Sequence, residues 1–412
     1  MNRTVVGQVD LPGSKSESNR ALMIAAYGGF PLEPVGLSDA HDTVLLQQCL
    51  RQVAKADVNV CNVVDCEDAG TVARFLLTYL ACREGEWVLT GSDRLCHRPM
   101  KALVDALMKL GADITYQQQE GCLPLRLRGR HLTGGSVVVD ASQSSQFVSS
   151  LLLAAPVWRD GLCVRLVSSM SSEPYIKMTM AMMNHFGASV AQTGDTITVH
   201  AKPYQAKPFT VARDWSSASY WYELASLSNR CDLLLKGLQN DALQGDRKAA
   251  EMFSVFGVKT SFEPEGVRLT KEVKNDASSD KPLFFDITDT PDLFPALMVT
   301  CVALHNLAVI NGIQNLKFKE SDRVDAIISE LVKLYSFDNV LNKNYVVVGK
   351  STPILINTYI NTTTIKTYSD HRIAMAFAPL SYIIPDISIE QPEVVRKSYP
   401  TFWNEIDQLQ IC

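Results

Sequence analysis

One pattern recurs along the chain and limits the fold more than any other feature. "MKALVDALMKLGADITY" sets Leu103, Ala106, Leu107 and Leu110 at helical spacing, offers Gly111 as a left-handed cap, and runs into a strand. "IKMTMAMMNHFGASVAQTGDTITV" does the same with Gly187, and "DRKAAEMFSVFGVKTSFEPEGVRLT" with Gly257. "DRVDAIISELVKLYSFDNVLNKNYVVV" follows suit with Tyr335 in the glycine's place, and "DTVLLQQCLRQVAKADVNVCNVVDC" is a weaker early copy. Each reads helix, strand, turn, strand, and the copies start roughly 60–75 residues apart, longer than common solenoid repeats. A globular α/β protein of repeated units is expected, with many helix N-termini available to face one cleft.

The totals narrow the class. A chain of 412 residues exceeds one ordinary core, so two domains are expected. A net charge of −5 does not favour nucleic acid or an anionic membrane as partner, so any basic site must be local. No apolar run is long enough to span a bilayer, and "MNRTVVGQVDLPG" lacks the apolar core of a signal peptide. The ten cysteines show no C-x-x-C and no zinc spacing. They read as reduced, mostly buried thiols of a cytoplasmic protein, and no metal is expected. "KEVKNDASSDKPLF" reads as one polar surface loop rather than a linker between domains.

Cations gather where helices begin. "LPGSKSESNRAL" puts Lys15 and Arg20 beside Ser14, Ser16 and Ser18 after a Pro-Gly turn. It is not a Walker loop, because Ser14 rather than Gly precedes Lys15. "EDAGTVARFL" places Arg74 one turn after Gly70, where a missing Cβ permits close approach to the backbone. "GSDRLCHRPMKAL" carries Arg94 and Arg98, with Pro99 as a first helical residue. "DASQSSQFVSSLLLAAP" presents Ser144, Ser145 and Gln146, and "SSMSSEPYIKMTM" presents Ser172 and Tyr175. "FKESDRVDAI" packs Lys319, Glu320, Asp322 and Arg323 together; "TYSDHRIAMAF" sets Asp370, His371 and Arg372 before a helix; "VVRKSYPTFW" adds Lys397. Singly, each is an ordinary cap or solvated face. Together they place cations at the end of the helix that prefers anions, which points to an anionic ligand with more than one charged group. Asp292 in "DTPDLFPAL" and Glu320 supply carboxylates for proton transfer.

These blocks, with "DWSSASYW" and "QGD", resemble the 5-enolpyruvylshikimate-3-phosphate synthase family from about Leu11 to about Trp403. The resemblance implies an enolpyruvyl transferase-like α/β fold, an inside-out α/β barrel of two domains. Each domain would hold three βαβαββ units around a central cleft that carries the active site. The domains would be residues 1–13 with 213–412, and 14–212. It also implies enolpyruvyl transfer from phosphoenolpyruvate to the 5-hydroxyl of shikimate 3-phosphate, with loss of phosphate, without metal or organic cofactor, in a monomer that is a target of glyphosate. Lys15, Ser16, Arg20, Ser144, Ser145, Gln146, Ser172, Tyr175, Asp292, Asn315 and Lys319 would then hold shikimate 3-phosphate. Lys15, Gly70, Arg98, Gln146, Arg323, Arg372 and Lys397 would hold phosphoenolpyruvate. Asp292 and Glu320 lead as acid/base groups, Lys15 assists, and His371 supports a neighbour.

The chain departs from the family pattern at Glu17, Asp68, Phe75 and Tyr335, and it is short and Asn/Thr-rich between Leu334 and Tyr368. The sister UDP-N-acetylglucosamine transferase normally carries a reactive Cys, occasionally Asp, in a Gly-rich loop five residues before the Arg-Pro. Asp93 stands at that position here, in a loop that is not Gly-rich, and the sister lacks "SSQF", "KESDR" and "SDHR". A binding homologue without activity would have had no need of the intact charged set.

Overall fold

In the computed structural model the residues described are 3–31, 33–140, 144–167, 172–240, 243–272, 281–354, 362–382, 384 and 386–411. Most of the polar loop read in "KEVKNDASSDKPLF", and residues 355–361 of the Asn/Thr-rich stretch, lie outside that set. The chain forms two compact units, Ser14–Val211 and Met1–Gly13 with Ala212–Cys412. Each has its own hydrophobic core, as independent folding bodies require.

The contiguous unit holds two four-stranded sheets of the same design. One runs Cys61–Asp65, Gly85–Thr90, Leu125–Gly129, Asp113–Tyr116; the other Gly135–Asp140, Leu162–Val167, Thr196–His200, Ser189–Thr193. In both, the first pair is parallel and the rest antiparallel. A parallel pair needs a crossover, and helices Gly70–Ala81 and Ser145–Ala154 supply it. The closing hairpin follows the second helix, which is the repeat seen in the sequence. Gly111 and Gly187 take the left-handed φ values of 95° and 87° that such helix ends favour. Strand Leu125–Gly129 alternates buried and exposed residues strictly, as one solvated face demands.

The discontinuous unit repeats the design with Leu283–Asp286, Ala308–Asn311, Tyr345–Val348 and Asn339–Leu341. Its larger sheet is assembled from distant pieces: Thr4–Asp10 lies parallel to Arg230–Lys236 and antiparallel to Gln410–Ile411. Helix Trp215–Leu227 is buried on nearly every face.

Three local readings differ from the structure. The segment before Gly257 is a short α-helix, Ala249–Met252, between 3-10 turns Gly245–Lys248 and Phe253–Phe256, not one continuous helix. The early copy is helix His41–Ala54, strand Cys61–Asp65, then another helix; no hairpin closes it. Pro99 is not a first helical residue, for that helix begins at Lys101. Beyond the regular units, one helix His371–Ser381 carries only a two-stranded parallel sheet, Thr363–Ile365 with Ile387–Ile389.

Candidate active site

Helix Lys15–Gly28 opens on Ser14, whose hydroxyl accepts from the Glu17 N–H at 3.4 Å. The Lys15 ammonium, at the first helical position, is 3.0 Å from Asp42. Arg20 is buried, and its guanidinium is distributed among neutral acceptors. It donates to Thr179 Oγ1 at 2.7 Å, the Ser16 carbonyl at 2.9 Å, the Tyr175 carbonyl at 3.2 Å and Ser149 Oγ at 3.3 Å. It also faces the rings of Phe75 and Tyr175 at 5.6 and 5.9 Å. Burial lowers its pKa to about 10, against the pull of Tyr175 and Glu17. Phe75, a departure from the family pattern, thus serves as the face on which this cation rests.

A second group forms around the start of helix Gly70–Ala81. Arg74 donates to Gln146 Oε1 at 2.7 Å, and Gln146 in turn donates to Thr71 Oγ1 at 2.8 Å. Arg98 and Arg74 both press on Gly70. Asp68 accepts from the Ser92 hydroxyl, so this departure fastens the loop that precedes the helix. Ser144 caps helix Ser145–Ala154 by accepting from the Gln146 N–H at 3.3 Å. Ser172 precedes helix Glu173–His185 with φ 61°, a strained value for serine, and Ser145 and Ser172 are buried. Within this unit the structure therefore joins Ser16, Arg20 and Tyr175, and separately Gly70, Arg98 and Gln146.

The discontinuous unit carries the densest charge cluster. Arg323, the first residue of helix Arg323–Leu331, is 1% exposed and touches three carboxylates. It donates to Asp292 Oδ1 at 2.8 Å, Glu320 Oε2 at 2.9 Å and Asp370 Oδ2 at 2.9 Å. Arg372 donates to Asp292 Oδ2 at 2.9 Å and to the Tyr220 hydroxyl at 3.3 Å. Lys319 stands 3.9 Å from Asp292. Burial opposes the charge on Asp292, yet Arg372, Lys319 and Arg323 hold its carboxyl well below the usual carboxylate range. Burial likewise opposes the Arg323 charge, and Asp370, Glu320 and Asp292 outweigh it. Asp370 caps its helix, accepting from the Arg372 N–H at 3.0 Å, and also accepts from Ser321 Oγ at 2.9 Å. The buried His371 ring has Nδ1 3.5 Å from Asp370. Asn315 and Lys397 sit at the ends of 3-10 turns Leu316–Phe318 and Pro392–Lys397.

Several participants carried no assigned role in the sequence. Asp42, Thr179, Ser149 and Tyr220 stood inside quoted stretches without any local sign that they meet the charged groups. Asp370, Arg74 and Asp246 lay inside quoted motifs without an assigned role. Asp246 is buried, accepts from Ser216 Oγ, and is pushed up to about 7 by burial and then by the nearby Asp292 charge. Among the described residues there is no group of three or more His, Cys, Asp or Glu side chains able to hold a metal ion. No helix among them is long and apolar enough to cross a membrane.

Comparison with known proteins is consistent along the chain. Residues 2–406 match the sequence profile of EPSP synthase (3-phosphoshikimate 1-carboxyvinyltransferase). A 3-phosphoshikimate 1-carboxyvinyltransferase of Bacteroides fragilis is 41% identical over 405 residues, which cover 97% of this chain and 94% of that protein. The EPSP synthase structure of Acinetobacter baumannii superposes with a TM-score of 0.74 at 22% identity, covering 100% of this chain and 98% of that one. The enolpyruvyl transferase NikO from Streptomyces tendae gives 0.71 at 15% identity, covering 100% and 96%. The two structures establish the α/β enolpyruvyl transferase fold. With a match over nearly its whole length and so similar a relative, the chain belongs to the EPSP synthase (3-phosphoshikimate 1-carboxyvinyltransferase) family.

Proposed function

We propose that the charged sets of both units divide the family's two anionic substrates between them, and that the acids around Arg323 move the protons. The chain is a 3-phosphoshikimate 1-carboxyvinyltransferase of the shikimate pathway. In our reading Lys15, Ser16, Arg20, Ser144, Ser145, Gln146, Ser172, Tyr175, Asn315 and Lys319 bind shikimate 3-phosphate, with Asp292 on its 5-hydroxyl. Lys15, Gly70, Arg98, Gln146, Arg323, Arg372 and Lys397 take phosphoenolpyruvate. A monomer suffices, since every proposed group belongs to this chain. Nine free thiols among the described residues suit a reducing, cytoplasmic setting.

The observation that carries this reading is the sharing of Asp292 between Arg323 and Arg372. Both guanidiniums have the fork geometry that grips a carboxylate or phosphate. An incoming phosphoenolpyruvate would compete with Asp292 for them. As their hold passes to the substrate, the Asp292 carboxylate regains basicity beside the hydroxyl it must deprotonate. The 5-oxygen then bonds the central carbon of phosphoenolpyruvate while the vinyl carbon gains a proton. Breaking the carbon–oxygen bond to phosphate and removing a proton from the new methyl group restores the double bond. Glu320, held by Arg323, is the second proton carrier, and Lys15 stabilises negative charge.

Phosphate release should require phosphoenolpyruvate and shikimate 3-phosphate together, and UDP-N-acetylglucosamine should not replace the latter. Comparable turnover with the nucleotide sugar would sink the substrate assignment. Unchanged turnover in Asp292→Asn and Glu320→Gln would sink the assignment of the proton carriers.

A further inference from the structure

Helix Arg323–Leu331 holds the segment before Arg372 at two points, and only one of them belongs to the charge cluster. At its N-terminal end Arg323 grips Asp370. Two turns later, on the same face, stands Glu330, which is 1% exposed. Its carboxylate accepts from the Lys366 N–H at 2.9 Å, from the Tyr368 hydroxyl at 2.8 Å and from the Lys333 ammonium. Between these two grips the chain is strained. Tyr368 and Ser369 both have φ 54°, consecutive left-handed conformations without a glycine. The Asp370 N–H closes the turn on the Thr367 carbonyl at 2.9 Å. Helix His371–Ser381 begins at once, and Arg372 is its second residue. Strained non-glycine backbone persists only where its surroundings impose it. Here Glu330 holds Lys366 and Tyr368 on one side of the turn and Arg323 holds Asp370 on the other.

We propose that Glu330 and Tyr368 are positioning residues, which hold the strained turn so that Asp370 orients Arg323 and Arg372 meets its anionic partner. Tyr368 lies outside the charge cluster, and no ligand role falls to it or to Glu330. Tyr368 is 43% exposed, and Tyr368→Phe removes its hydroxyl alone. Lys333 balances the Glu330 charge, which allows a buried carboxylate to serve as a backbone acceptor. The inference rests on the proposed assignment of Arg323 and Arg372 to phosphoenolpyruvate.

Steady-state kinetics with both substrates, beside thermal unfolding, test it on Tyr368→Phe, Glu330→Gln and Arg372→Lys. Losing the Tyr368 hydrogen bond should raise the KM for phosphoenolpyruvate about threefold to tenfold. The KM for shikimate 3-phosphate and kcat should stay within about twofold. Glu330→Gln turns an N–H toward donors it used to accept from, so its effect on the phosphoenolpyruvate KM should be larger. A lowered melting temperature with the phosphoenolpyruvate KM unchanged in Tyr368→Phe would show a purely structural tie and overturn the proposal. If Arg372→Lys raises that KM while Tyr368→Phe does not, the positioning role falls and the site assignment stands. If Arg372→Lys has no effect either, both fall. Should Glu330→Gln fail to fold, Tyr368→Phe decides alone.

Discussion

Gly70 and Arg98 are packed so closely that a Cβ on Gly70 would stand 2.5 Å from Arg98 Nη1. Arg74 Nη1 would be 2.8 Å away. Gly70 has no left-handed φ, so the helix start uses its small size and not its conformational freedom. Two guanidiniums thereby share the space beside one helix start.

Gly70→Ala should displace both guanidiniums. Arg98 is 8% and Arg74 3% exposed, so neither can swing freely aside. The KM for phosphoenolpyruvate should rise about tenfold, the scale of one charge-assisted hydrogen bond. If glyphosate reaches Gly70, its inhibition constant should rise further still. Measuring both constants for the two proteins decides the matter. An unchanged ratio would remove the ligand from Gly70 and leave only the arginines against it.

Asp246 gives a pH dependence of stability. The unfolded chain loses this proton near 3.8, whereas burial and the Asp292 charge keep it in the fold up to about 7. Between those values the folded state binds more protons, so stability falls as pH rises through that window and then levels off. Asp246→Asn should abolish this slope, with its gain in denaturation midpoint largest at pH 7 and above. Parallel pH profiles for wild type and variant would contradict it.

Glu223 extends the same logic to the core. It lies on helix Trp215–Leu227, is fully buried, and both its carboxyl oxygens lack a hydrogen-bond partner among the described residues. Burial pushes its pKa well above 4.5. The fold therefore holds a neutral acid, at a growing cost as pH rises above 4.5. Glu223→Gln, also neutral and of similar size, should be more stable than wild type at pH 8 and about equal at pH 4. Urea midpoints at the two pH values provide the check, and a uniform loss at both would refute it.

Arg20 should report shikimate 3-phosphate through stability. Among the described residues its hydrogen bonds run to hydroxyls and carbonyls, not to a carboxylate, which suits it to an anionic ligand. At a hundredfold excess over its dissociation constant the ligand should add about 2.7 kcal/mol to the unfolding free energy. Most of that gain should vanish in Arg20→Gln, as read by thermal shift. A full shift in the variant would remove Arg20 from the ligand's surroundings.

The repeated units were legible because helix period, capping glycine and strand alternation are local signals. Gly111 and Gly187 did what a glycine at that position does. The segment before Gly257 was misread because apolar spacing alone cannot tell a continuous helix from short turns joined end to end. In the candidate site, cations out of place at helix starts were visible, since Lys15, Arg323 and Arg372 each defy the dipole preference. Their companions were not. Asp42, Thr179 and Tyr220 are ordinary residues in ordinary elements, and only tertiary packing brings them to the charges.

The pairing of Thr4 with Arg230 and of Val5 with Ile411 sets a timetable for the newborn chain. Strand Thr4–Asp10 must wait until Arg230–Lys236 is made before its parallel neighbour exists, and until Gln410–Ile411 is made before its other edge is covered. At about 5–20 residues per second that first wait lasts on the order of 10–45 seconds. Residues 14–211 need nothing made later, so they can condense while Thr4–Asp10 stays unpaired. The strand's own sequence suits the interval. "TVVGQVD" breaks its valines with Gly7 and ends on a charge, which makes a lone exposed edge a poor template for another chain.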